Sequence, residues 1–150
     1  MAFTQSQPTV SLIAETTFSS GDLYKFVRVT SSVGRVGVTG SSDATFIVGT
    51  LLSETYSTST GANEAVTVGL LSGIGKVLMA GSTLMVGAPI SASSLGFGTI
   101  CTTGQTQIGI VVEAGTEFGS SGTAGAPGGS SSTGRVASVL FVPSYILHSS

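Results

Sequence analysis

Apolar residues along this chain recur with a period near two rather than 3.6, which predicts strands with one buried face and no long amphipathic helix. Residues 23–29 (LYKFVRV) alternate, with Lys25 and Arg28 set to reach solvent. Residues 33–38 are β-branched and interrupted by glycine. Residues 46–52 (FIVGTLL) read as a buried strand in which Gly49 marks a close approach of another backbone. Residues 65–70, 108–112 and 135–142 complete the strand set. Turn residues separate these runs at the spacing of a sandwich or barrel. Only residues 75–85 have a faintly helical look, weakened by Gly81 and Thr83. The expected fold class is all-β: a compact barrel or sandwich, tulip-like in outline, with an extended N-terminal arm.

A weak internal repeat divides that domain into two loosely similar halves. Gly21-Asp22-Leu23 is echoed by the segment from Gly81 to Leu84. Residues 46–54 are echoed by 106–114, and Val66-Thr67-Val68-Gly69-Leu70-Leu71 by Val136-Ala137-Ser138-Val139-Leu140-Phe141. Two similar β halves closed as one unit would hide their strand edges from other chains. The 150 residues suit one domain, expected over 21–142. Residues 1–20, polar with isolated apolar anchors, read as an arm, and 143–150 as a tail. The stretch 115–134 is Gly/Ser-rich, and from Gly119 to Gly134 (GSSGTAGAPGGSSSTG) it is of low complexity, a composition that predicts a surface loop.

Composition narrows the function classes. Only 8% of residues are charged against 41% hydrophobic, with 22 glycines. That is far below the ~25% charge of an ordinary domain, so the surface is built from hydroxyls, glycine and apolar atoms. Such a skin predicts a subunit partly covered by partners. The net charge is -2, and Lys25, Arg28, Arg35, Lys76 and Arg135 are scattered singly, so there is no basic face for nucleic acid or for an anionic membrane. Residues 77–112 are uncharged, yet they are broken by Gly, Pro, Ser and Thr and hold no run of ~18 apolar residues. The N-terminus has neither a basic nor an apolar signal region, so a soluble cytoplasmic product is expected.

Candidate chemistry is sparse. Cys101 is the sole cysteine, which rules out an intrachain disulfide and predicts a small buried hydrophobe. His148, the sole histidine, lies two residues from the end, a poor place for a general base or metal ligand. Glu54 and Glu113 both end the repeated strand motif and form the one carboxylate pair of interest. Residues 69–76 (GLLSGIGK) imitate a phosphate loop, but five residues separate Gly69 from Gly75-Lys76 and Val77 stands where a metal-binding hydroxyl belongs. The expectation is no catalytic residue, no metal, no cofactor and no enzyme activity.

The order of these motifs resembles the small decoration (cement, head-stabilising) proteins of tailed-phage capsids. Gly21-Asp22-Leu23, Val48-Gly49-Thr50-Leu51 and Val66-Thr67-Val68-Gly69 are followed by a second round at 81–84, 108–112 and 136–141. The likeness spans roughly residues 18–142 and rests on short, degenerate motifs. It implies β-barrel or tulip-like subunits that assemble as homotrimers on the outer capsid surface and clamp the major capsid protein. The long N-terminal lead and the Gly/Ser-rich stretch depart from that pattern. Phe3, Pro8, Val10, Leu12 and Phe18 are the candidate partner contacts, as anchors that an extended arm would lay on a neighbour. Other virion parts (fibre, collar or baseplate) fit the same composition, and a small carbohydrate-binding or hydrolytic module using Glu54 and Glu113 is a third reading.

Overall fold

The computed structural model describes residues 7–30, 34–39, 47–56, 62–80, 84–117 and 135–142, with 115–117 by backbone alone. These residues form ten strands and one 3₁₀ turn at Ser20–Asp22. The strands are β1 (Thr9–Ala14), β2 (Phe26–Val29), β3 (Arg35–Val38), β4 (Ile47–Leu51), β5 (Ala65–Leu70), β6 (Ile74–Met79), β7 (Pro89–Ala92), β8 (Gly98–Ile100), β9 (Gly109–Glu117) and β10 (Arg135–Phe141).

The strands close into two five-stranded barrels, ordered β1-β3-β2-β4-β5 and β10-β6-β8-β7-β9. In the first, β1 runs parallel to β3 and antiparallel to β5, and the remaining pairs are antiparallel. The second repeats this scheme strand for strand, with β6 parallel to β8 and antiparallel to β10. Closure gives every strand two neighbours, so neither barrel leaves a full-length open edge.

The ladders show that the two halves match residue for residue. Val27 opposes Gly49 in the first barrel, and Ile90 opposes Gly109 in the second. The amide of Leu51 donates to Lys25 O and the amide of Tyr24 to Leu51 O; their counterparts run from Val111 to Ala88 O and from Gly87 to Val111 O. Tyr24 and Gly87 both have positive φ, +65° and +88°. The sequence echo of β4 in β9 is therefore structural. The echo of β5 in β10 is one residue out: Leu51 opposes Val68 and Val111 opposes Val139, which sets Val66 against Ala137 rather than Val136. A shift of one exchanges the faces of a strand, and a string of Val, Leu and Gly does not reveal which face is which.

Each barrel is filled by its inward-facing side chains. Ala14, Phe18, Val27, Val36, Leu51, Val66 and Val68 form the first core. The second contains Val77, Met79, Ile90, Val111, Ala137, Val139 and Phe141, and it takes in Phe26 and Ile47 from the first barrel. Phe26 belongs to β2 but follows the opposite pleat from Val27, so it leaves its own barrel and packs on the other. At roughly 1.5–3 kcal/mol per large apolar side chain, these cores dominate the fold.

Three details knit the barrels together. Leu78 N–H donates to Tyr24 O at 2.8 Å, and Phe26 N–H donates to Gly96 O at 2.7 Å. The buried Gln7 amide reaches Leu70 O at 2.8 Å and Thr50 Oγ1 at 3.2 Å. Gly69 and Gly75, one from each barrel, leave room for it, since a Cβ at either would lie within 2.4 Å of the Gln7 side chain.

Several expectations are corrected here. Residues 9–14 are not part of an appended arm; β1 closes the first barrel because Val10, Leu12 and Ala14 alternate inward. Residues 75–79 of the faintly helical stretch lie in strand β6, and β7 and β8 had no separate place in the predicted set. Lys25 does not reach solvent; it is buried at the junction, paired with Asp22 at 2.8 Å and 5.0 Å from the Phe97 ring centre. Gly49 does mark a close backbone approach: a Cβ there would fall 1.9 Å from Gly69 O.

Candidate interaction surface

Lys76, Ser138 and Glu113 face one another across β6, β10 and β9. Lys76 Nζ donates to Ser138 Oγ at 2.7 Å, and Ser138 Oγ donates to Glu113 Oε2 at 2.8 Å, with Lys76 and Glu113 3.7 Å apart. Glu54 is exposed after β4 of the other barrel. The two carboxylates thus belong to different barrels, and Glu113 is engaged in a cross-strand network. Cys101 is buried, and that burial pushes its thiol up, so it stays protonated at neutral pH. The segment 69–76 is the end of β5, a turn and β6, with no helix to receive a phosphate. Among the described residues no three His, Cys, Asp or Glu side chains gather as a metal site would require. No helix of the described residues is long and apolar enough to cross a membrane.

Asp22 organises the first barrel's β1–β2 connection. Burial alone would push its carboxyl up. Hydrogen bonds from Lys25 Nζ and from the Ser19 amide and hydroxyl, together with the Lys25 charge, outweigh that and hold it below the usual carboxylate range. In the same connection Phe18 is 1% exposed. Its N–H donates to Thr55 Oγ1 at 3.1 Å, and its carbonyl accepts from the Thr55 amide and hydroxyl.

The structure separates the five candidate contact residues. Phe3 lies outside the described residues, as do 119–134 and His148. Pro8 is exposed just before β1. Val10 and Leu12 are half-buried against the first core. Phe18 is a core residue and not a surface anchor, because its side chain completes the apolar filling of the barrel.

The exposed apolar surface lies elsewhere. Met85 and Val86, each 67% exposed, stand in the β6–β7 connection. With Gly87, Ala88 and Ile100 they line an open groove of about 380 Å³. Beside it, Ile74, Leu140, Ile110 and Pro89 oppose one another in turn on β6, β10, β9 and β7. They form an apolar stripe across four strands, in which Leu140 is 38% exposed. The Lys76–Ser138–Glu113 row lies two positions further along β6 and β10, on the same face of both strands, which gives the stripe a polar rim. Sequence reasoning missed this surface. The available signal was Met85-Val86 directly before a glycine, two large apolar residues at a turn with no partner in the strand pattern.

No family model matches the sequence, and no curated protein matches it. Among solved structures, the chain is similar to the head fiber gp8.5 N base in bacteriophage phi29, with a TM-score of 0.57 over 95% of this chain and 99% of that one. At 12% identity the likeness is one of fold.

Proposed function

We propose that this chain is a non-catalytic structural component of a phage particle, mounted on the outside of the head. The observation that carries this reading is the likeness of the whole double barrel, end to end, to the base of a phage head fibre. A surface with few charges and an open apolar groove agrees with a subunit built to be fitted against neighbours.

Two finer readings follow. The sequence motifs favour a homotrimeric decoration protein that grips the major capsid protein and braces the shell, with no cofactor and no contact to nucleic acid or membrane. Three tethered copies of a weak contact hold a shell far more tightly than one. The fold likeness favours the base of a head fibre, and it supports this reading at least as directly. Purified protein mixed with emptied, expanded heads, sedimented and imaged, tests both. Saturable binding with density at regularly repeated shell positions supports decoration. Density at sparse positions, each beneath a longer projection, supports a fibre base. Absence from heads, or from particles recovered from infection, refutes the proposal.

A further inference from the structure

We infer that Arg28 and Arg35, on the outer face of the first barrel, form a site for a carboxylate of a neighbouring protein subunit. The identity of that partner rests on the structural-component reading above.

The two arginines share one face. Val27 and Val36 belong to the first core, so Arg28 on β2 and Arg35 on β3 follow the opposite pleat and point outward. The ladder sets Arg28 opposite Gly37. Glu15 closes over the same glycine: its Oε2, like Thr30 Cγ2, lies 3.2 Å from where a Gly37 Cβ would be. Ile13, the β1 neighbour of Arg35, is 39% exposed.

The charges of this face are not spent within the chain. Among the described residues the ion pairs are Lys25–Asp22 and Lys76–Glu113, and none joins Glu15 to Arg28 or Arg35. Arg135 has an interaction of its own. Arg28 Nε is buried and has no hydrogen-bond partner. Phe26 on β2 and Ile47, opposite Arg28 on β4, both pack into the second core. The half-buried Arg28 therefore stands at the margin of the joint between the barrels.

The duplicated half shows the same position completed from within. Ser91 opposes Thr99 on β7 and β8 as Arg28 opposes Gly37 on β2 and β3. Ser91 is buried, its hydroxyl lies 3.3 Å from Thr99 Oγ1, and it donates to Gln105 Oε1 at 3.0 Å. The first barrel puts a stronger donor at this place and supplies no acceptor. Buried polar groups in folded proteins are paired, so the missing acceptor is assigned to whatever docks there.

The chemistry of the face selects the class of acceptor. A guanidinium is a planar fork that fits a carboxylate through two parallel N–H···O bonds. Two arginines against one glutamate leave a single net positive charge, which matches one carboxylate. A phosphate dianion would bring its second charge against Glu15. The exposed Ile13 adds an apolar contact that a protein partner covers and a free anion does not.

The test titrates emptied, expanded heads with the full chain and with Arg28→Gln, Arg28→Lys and Arg35→Gln, and records a melting curve for each. In parallel, NMR follows the arginine Nε–H resonances while a hexaglutamate peptide or inorganic phosphate is added at constant ionic strength. Arg28→Gln should lower head affinity by about 10- to 100-fold with unchanged melting, and Arg28→Lys should not restore it. Arg35→Gln should lower it less. The peptide should move the Arg28 Nε–H resonance, and phosphate should leave it in place. Natural affinity in both glutamine variants overturns the inference and leaves a head component bound through another face. Early melting of Arg28→Gln also overturns it, since the guanidinium then serves the fold. An equal response to phosphate overturns the carboxylate assignment. A natural chain that ignores heads refutes the structural-component reading; the peptide then decides alone, a shifted Arg28 resonance upholding the carboxylate site and an unshifted one removing it.

Discussion

The connection from β1 to β2 and its counterpart from β6 to β7 leave equivalent strands and return to equivalent strands, yet they do opposite things. The first folds inward, seals the barrel with Phe18 and ties itself down through Thr55, Asp22 and Lys25. The second turns Met85 and Val86 outward and leaves a groove. Both pass through a residue of positive φ, Tyr24 in one and Gly87 in the other. The two connections thus share a backbone turn at their exit into the next strand, while their side chains differ: Phe18 fills a core, and Met85 and Val86 face outward. The outer stripes differ in the same way: Gly69, Thr50 and Phe26 are buried on the first barrel, whereas their counterparts Leu140, Ile110 and Pro89 on the second are exposed or half-buried. A repeated scaffold allows one copy to specialise in internal docking while the other keeps an apolar face available.

The sharpest way to break this comparison is to truncate both loops. Phe18→Ala should cost about 3–5 kcal/mol in denaturant unfolding, because it empties a closed core. Met85→Ala should stay within about 0.5 kcal/mol for the isolated chain. Equal effects would mean that the two loops play the same part. Next in size, Gly49→Ala drives a methyl into the Gly69 carbonyl, and a loss of about 3 kcal/mol is expected in the same measurement. Its counterpart Gly109→Ala meets Val139 Cγ1 at 2.6 Å and Leu140 O at 2.7 Å, and should cost less, about 1–3 kcal/mol.

The positive-φ pair offers a finer contrast. At most sites Ala is more favourable than Gly, but Tyr24→Gly should be more stable than Tyr24→Ala by about 1 kcal/mol in thermal melts. The reverse order would show that the +65° conformation of Tyr24 carries no strain. The smallest effect concerns pH. The Asp22 carboxyl is held below its ordinary value, so its contribution is complete above the unfolded pKa near ~3.9 and is lost as pH falls through the lower folded value. Its partly exposed pair with Lys25 limits this to about 0.2–1 kcal/mol. Asp22→Asn should flatten the stability profile between about pH 5 and 2, and an unchanged profile would remove Asp22 from the account.

Period-two alternation identified the all-β class and placed β3, β4, β5 and β10 within a residue or two, since burial on one face of a pleated strand dictates that pattern locally. The duplication was legible for the same reason, because Val48-Gly49 and Ile108-Gly109 fill the same structural position. Three things were not legible. The role of β1 was hidden because Thr9-Val10-Ser11-Leu12 alternates too modestly to stand out from a polar arm. Lys25 looked solvent-directed because a strand pattern cannot show that a second barrel will settle on its outer face. The one-residue offset between β5 and β10 was invisible because register is set by partners across the ladder.

The sequence by itself determined that this protein is a charge-poor, duplicated β protein filled with aliphatic side chains, since composition and alternation act through each residue's own neighbours. Only the tertiary structure decided that the chain closes as two barrels, that Phe26 and Ile47 of the first pack into the core of the second, and that Met85, Val86 and Leu140 of the second stand exposed. Those outcomes depend on pairings between residues distant in the chain, and a one-dimensional pattern carries no information about which outer face another barrel will cover.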